Sequence, residues 1–207
     1  MAQFFSVHPD NPQRRLLREA VAILRRGGVI VYPTDSLYAL GCHLGDKAAV
    51  ERMRRVRDID ERHHLTMMCR DLAEIGSLAR VDNQNYRLIK ACTPGSYTFI
   101  LQANRELPRR ILHSNRKTIG VRIPDHPVVR GLLDEMQEPL LSTSLLLPGD
   151  AQPMNDAVEI RQRLEHAVDL VIDAGSCGVE PTSVIDLTGP APVVLRRGRG
   201  DVAAFLE

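Results

Sequence analysis

The sequence predicts an α/β domain on a mixed sheet, and three observations carry that prediction. Strand-sized apolar runs alternate with segments of helical periodicity along the 207-residue chain. Strand signals outnumber those of a regular β-α-β alternation, so some strands must pair antiparallel. A hydrophobic content of 43% with a net charge of +1 supplies a core and excludes a disordered chain. The length fits one domain over residues 1–207. No run reaches ~18 apolar residues, so no membrane helix is expected. The opening MAQFFSVHPDNPQRR lacks the basic start and long apolar stretch of a secretory signal.

The elements follow in order. Gln3 to Val7 reads as a short strand. Asn11 is the expected N-cap of a helix with Pro12 in its first turn, and Gly27-Gly28 stops it. Its apolar face is Leu16, Leu17, Ala20, Val21, Ile23 and Leu24. Val29 to Tyr32 is a buried strand ended by Pro33. Asp46 caps a helix to about Arg57, Leu65 to Met68 is a strand, and Asp71 and Asp82 cap two further helices. Tyr97 to Gln102 and Thr118 to Ile123 are strands around a basic loop. Asp125 or His126 opens a helix with Pro127 in its first turn. Leu140 to Leu145 is a strand, Asp156 to about His166 a helix and Leu170 to Ile172 a strand. Ser183 to Leu187 and Val193 to Arg196 complete the sheet, and Asp201 starts a closing helical turn.

Charge is unevenly laid out. The basic residues are 24 arginines and three lysines (Lys47, Lys90, Lys117). Arg105 to Arg122 holds six basic residues against one acidic, and Asp134 to Asp173 holds two against nine. This asymmetry suits an anion site or weak nucleic-acid contact. An aromatic content of 4% argues against an extended base-stacking platform. Cys42, Cys69, Cys92 and Cys177 form no CxxC pair and no zinc spacing, as expected of free thiols in a cytoplasmic protein. The adjacent His63 and His64 do not share a face, so no metal site is expected of them. P-loop, GxGxxG and GxSxG motifs are absent.

Five polar stretches at element ends carry the chemistry, because ligands of α/β sheets sit there. Thr34 and Ser36 in Pro33 to Gly41 suit a small polar ligand or an ordinary Ser/Thr turn. Arg54, Arg55 and Arg57 suit the helix dipole or a phosphate clamp. Alternation puts Thr118, Gly120 and Arg122 on one strand face and Ile119, Val121 and Ile123 on the other. An interior arginine needs an anionic partner, and Gly120 leaves room for one. Ser142-Thr143-Ser144 ends a strand with three hydroxyls, which cradle a phosphate or close the strand. Pro181 to Asp186 adds a hydroxyl, and Arg196-Arg197 adds guanidiniums.

In this order the stretches resemble the YrdC/YciO family of threonylcarbamoyl-AMP synthases, nearest its YciO branch. PTDSLYALG at 33–41 resembles PTDT-x-Y-x-LG, and RVR at 55–57 resembles K-x-R. PGSYTFIL at 94–101 resembles PGPxTxIL. TIGVRIPDHP at 118–127 is the most specific match. PLLSTS at 139–144 resembles the start of PLxxTSAN. PTSVIDL at 181–187 and LRRG at 195–198 resemble PSTVVDL and LRPG. The resemblance spans roughly Pro12 to Asp201.

The resemblance implies a twisted mixed sheet flanked by helices, with a large basic concave cleft. It implies condensation of L-threonine, bicarbonate and ATP, accompanied by Mg²⁺, to threonylcarbamoyl-AMP and pyrophosphate for tRNA modification. Thr34, Arg122 and Ser183 would then bind threonine, with Arg122 on its carboxylate. Arg55 and Arg57 would face the phosphates as the catalytic pair, and Thr118, Ser144 and Arg196 would contact the nucleotide. No tightly bound metal is implied. Three departures bear on activity: Arg55 stands for the lysine of K-x-R, His63 for that of KPL, and Leu145-Leu146 for the Ala-Asn of TSAN. They predict weak or altered synthase activity. They leave open a paralogue binding tRNA or double-stranded RNA, or adenylation of another carbamate, by a monomer or homodimer.

Overall fold

The computed structural model describes residues 1–105, 107–108, 111–112 and 117–206. Arg109, Arg110 and Arg116 of the basic loop lie outside the described residues. Strands β1 (Gln3–Ser6), β2 (Val29–Tyr32), β3 (Ala39–His43), β4 (Thr66–Met68) and β5 (Tyr97–Gln102) fill the first half. Strands β6 (Thr118–Arg122), β7 (Leu140–Ser144), β8 (Leu170–Asp173), β9 (Ser183–Asp186) and β10 (Val193–Arg196) fill the second. They form one open sheet in the order β1-β8-β2-β3-β7-β4-β6-β5-β9-β10. The pairs β1/β8, β2/β8, β4/β6 and β5/β9 are parallel and the other five antiparallel, so the sheet is mixed as expected.

The helices are α1 (Arg14–Arg25), α2 (Lys47–Arg57), α3 (Leu72–Leu78), α4 (Asn83–Cys92), α5 (Pro127–Met136) and α6 (Ala157–Leu164). Asp46, Asp71, Asp82 and Asp156 each accept a backbone N–H at a helix start. His126 caps α5 by accepting from the Val128 N–H at 3.2 Å.

Two expectations change. Asn11 caps nothing: α1 begins at Arg14 after Gln13, and the Asn11 N–H donates to His8 Nδ1 at 3.2 Å. The stretch Ala39–His43, for which no strand is expected, is β3, which returns along β2 as a hairpin with Tyr32 opposite Ala39.

The sheet buries its two faces differently. On one face Val31, Leu40, Leu141, Met67, Val121 and Phe99 meet residues of α2, α3, α4 and α6. On the other, Ile30, Tyr32, Leu140 and Ile172 meet α1 and α5. Those two helices cover only the β8-β2-β3-β7 half. Past β7 the same face turns polar: Ser142 stands opposite Thr66, and Thr66 opposite Gly120. The boundary is a buried hydroxyl pair. Ser142 Oγ donates to the Leu40 carbonyl at 2.9 Å, so Tyr32 OH donates to Ser142 Oγ at 2.7 Å. Burial pushes the Tyr32 hydroxyl well above its ordinary pKa of 10.0, so it stays a donor.

Ser142→Ala strands that donor in the core. It should destabilise the protein by about 1–3 kcal/mol in urea unfolding, more than Tyr32→Phe, which removes the donor itself.

Candidate anion-binding cavity

The uncovered half of the sheet floors a cavity of about 240 Å³. Its floor carries Thr66, Met68, Thr98, Ile100, Arg122, Ser142 and Ser144, and its walls carry Thr34, Ser36, Arg62, His63, His64, Thr182 and Arg196. Three guanidiniums line it and no carboxylate does among the described residues. Nor do those residues include a cluster of acids, histidines or cysteines able to hold a metal.

Arg122 projects from the last position of β6 and is 5% exposed. Its partner is Asp35, which no residue-by-residue reading singled out: Arg122 Nη2 donates to Asp35 Oδ1 at 2.6 Å. Ser96 Oγ donates to the other oxygen of Asp35 at 2.8 Å. Arg122 Nη1 reaches Ser36 Oγ at 3.3 Å, and its buried Nε has no partner. The anion expected of an interior arginine is thus built into the Pro33–Gly41 stretch. Gly120 lies in a tight place beside it: a Cβ there would sit 3.1 Å from both the Leu65 carbonyl and Thr66 Oγ1.

Thr34 lines the cavity, but its hydroxyl serves the loop. It donates to the Leu37 carbonyl at 2.7 Å and accepts from the Ser36 and Leu37 N–H groups. Ser183 lies under the wall: it donates to the Gly200 carbonyl at 2.5 Å and accepts from the Gly198 N–H at 3.0 Å. Its neighbour Thr182 faces the cavity instead. Arg196 grips Thr182 through Nε (3.0 Å to the carbonyl) and Nη2 (3.2 Å to Oγ1), and Thr182 bonds Thr98 at 2.8 Å. Desolvation, then the Arg122 charge, lower the Arg196 pKa below its ordinary value. Thr118 is buried and its hydroxyl meets His64 Nε2 at 2.8 Å. The hydroxyls of Ser144 and Thr66 line the cavity with no hydrogen bond to a described residue.

Arg55 and Arg57 part company. Arg55 is exposed on α2 and does not line the cavity. Arg57 does not line it either; it is half-buried with an unpartnered Nε, and desolvation lowers its pKa. Arg54 donates through Nη1 to the Asp60 carbonyl, which also accepts from the His63 N–H at 3.3 Å. This turn brings His63 to the cavity wall. Leu145 points into the core at 0% exposure and Leu146 is 36% exposed; neither lines the cavity. The two leucines that depart from TSAN therefore leave the cavity unfilled.

A family model covering Sua5, YciO and YrdC proteins, described as telomere recombination, matches residues 22–198. The chain belongs to this family. It is 55% identical over 206 residues to YciO of Escherichia coli (strain K12), with 100% of both chains covered. The crystal structure of E. coli YciO superposes with a TM-score of 0.96. The threonylcarbamoyl-AMP synthase of Halorhodospira halophila is 31% identical over 183 residues, covering 87% of this chain and 94% of that protein. Sua5 of P. abyssi complexed with L-threonine gives a TM-score of 0.86 at 25% identity over 94% of this chain and 57% of that one. The family thus includes threonylcarbamoyl-AMP synthases. Among the described residues no helix is long and apolar enough to cross a membrane.

Two tests follow from this geometry. Asp35→Ala leaves Arg122 buried without its counter-charge and should cost about 3–5 kcal/mol, while a second change, Arg122→Met, should recover most of it in urea unfolding. The folded-state pKa values of His63 and His126 both lie below their ordinary 6.5, first through desolvation. The unfolded chain then binds more protons on acidification, so stability falls as pH drops from 6.5 through the folded values. His63→Gln or His126→Asn should each flatten the fall in unfolding midpoint between pH 7 and 5.

Proposed function

We propose that this protein is a threonylcarbamoyl-AMP synthase-like enzyme that condenses L-threonine, bicarbonate and ATP to threonylcarbamoyl-adenylate and pyrophosphate. The observation that carries the reading is the cavity's charge: three guanidiniums, no lining carboxylate, and an unpartnered buried Nε on Arg122. An amino-acid carboxylate takes that Nε–H and the adjoining edge of Arg122, with Asp35 holding the guanidinium still. The Thr34 loop forms one wall of that subsite, and Ser183 supports the opposite wall from beneath. The ATP phosphates lie toward Arg196, Arg62 and Arg57, with Mg²⁺ entering as part of the nucleotide substrate. Ser144 and Thr66 offer free hydroxyls to the nucleotide or the carbamate.

The reaction places most of its demand on positioning and on neutralising phosphate charge, which fixed arginines supply. The product would feed the modification of tRNA. The missing TSAN amide predicts a slower enzyme than relatives that keep it.

The test is pyrophosphate release from Mg-ATP and bicarbonate with each amino acid in turn, the adenylate being identified by mass. Threonine-dependent release is expected. It should drop on the order of 10²-fold in kcat/KM with Arg196→Ala, which sits at the surface and spares the fold. No release from folded protein with any amino acid would sink the reading. Salt-sensitive binding of double-stranded RNA or tRNA by that inactive protein would replace it.

A further inference from the structure

The geometry points to His63 as the proton acceptor of the reaction carried out in this cavity. This inference rests on the proposed carbamate chemistry and assigns it a residue. Forming the carbamate releases a proton: R–NH₃⁺ and HCO₃⁻ give R–NH–COO⁻, water and H⁺. The new bond is between the amine nitrogen and the carbon of bicarbonate, a C–O bond breaks to release water, and one proton must leave the site. Among the described residues that line the cavity, the titratable groups are Arg62, Arg122, Arg196, His63 and His64. A guanidinium does not accept a proton. His64 has its Nε2 at 2.8 Å from Thr118 Oγ1 on β6. His63 makes no side-chain hydrogen bond to a described residue and is open to solvent. It can take a proton from bound substrate and pass it to bulk water.

The setting keeps the imidazole ready to accept. Desolvation against the cavity wall lowers its pKa, and so do the charges of Arg57 and Arg54 from α2 and Arg196 from β10. Asp60, in the turn before it, pulls the other way and does not cancel them. A neutral ring at neutral pH is the form a general base needs. A lysine here would enter the reaction already protonated. The turn fixes the approach, since the His63 N–H and Arg54 Nη1 share the Asp60 carbonyl. The base is therefore tied to the arginine-bearing end of α2 and shares the cavity lining with Arg196.

The deciding experiment is the pH dependence of threonine-dependent pyrophosphate release, compared between the natural protein and His63→Gln. The natural protein should show an acidic limb in kcat/KM with its midpoint below 6.5. His63→Gln should erase that limb and lower kcat by about 10²–10⁴-fold, with KM for ATP and threonine nearly unchanged. Imidazole should restore turnover to His63→Ala. An unchanged profile and rate in His63→Gln would overturn the assignment while leaving the synthase reading in place. A KM rise at constant kcat would also overturn it, making His63 a binding residue. If the natural protein releases no pyrophosphate, the reading fails first and the base falls with it.

Discussion

The buried pair of Arg122 and Asp35 is the constraint around which the site is arranged. A guanidinium at 5% exposure is tolerable only with a fixed counter-charge, and Asp35 has to be brought from a different part of the chain to supply it. That requirement fixes the Pro33–Tyr38 loop against the end of β6. The hydroxyl turn at Thr34 and Ser36 follows from it, as does the Ser96 hydroxyl on the far oxygen of Asp35. Because Nη2 is held by Asp35 and Nη1 by Ser36 while Nε has no partner, the guanidinium is fixed in orientation and is not a diffuse charge.

The second organising fact is that one sheet face is covered over only half its width. Two helices suffice for the apolar half, and the polar half beyond β7 needs none, because Ser142, Thr66 and Thr98 put hydroxyls where side chains of a core would be. The opposite face is closed by four helices over a large apolar cluster. The centre of the cavity floor is held by ladders on both sides: Thr66 pairs with Ser142 and Gly120, and Ile100 with Gly120 and Asp186. The more adaptable groups, Arg62 and His63, come from the turn after α2.

Much of this architecture was legible in the sequence, for identifiable reasons. Asp46, Asp71, Asp82 and Asp156 signal helix starts through a local hydrogen bond, and local rules are readable one residue at a time. The face assignment of β6 held because period two is dictated by the backbone. Asn11 misled because His8 and Gln13 satisfy the backbone there, a contact that residue type does not announce. β3 was missed because Ala39–His43 has a glycine at its centre, and its partners β2 and β7 determine it. Within the cavity, type and position identified Arg122 and Arg196. Which hydroxyls remain unspent was not legible: Thr34 and Ser183 bond to backbone groups, while Thr66 has no described partner. Arg55 and Arg57 are adjacent in motif but differ in burial, and Asp35, within the quoted motif, gave no separate signal.

One consequence lies in the position of Arg196 at the margin of the sheet. β10 has a single neighbour, pairs irregularly between Val194 and Arg196, and leaves Val193 and Leu195 more than half exposed. Strands of this kind detach at a lower free energy than the interior of a sheet. The cavity thus mixes a deeply anchored cation on β6 with one mounted on an irregular edge strand. An anion bridging Arg122 and Arg196 would act as a latch across β5 and β9. Occupancy of the site and closure of the sheet's outer edge would then be coupled in one equilibrium.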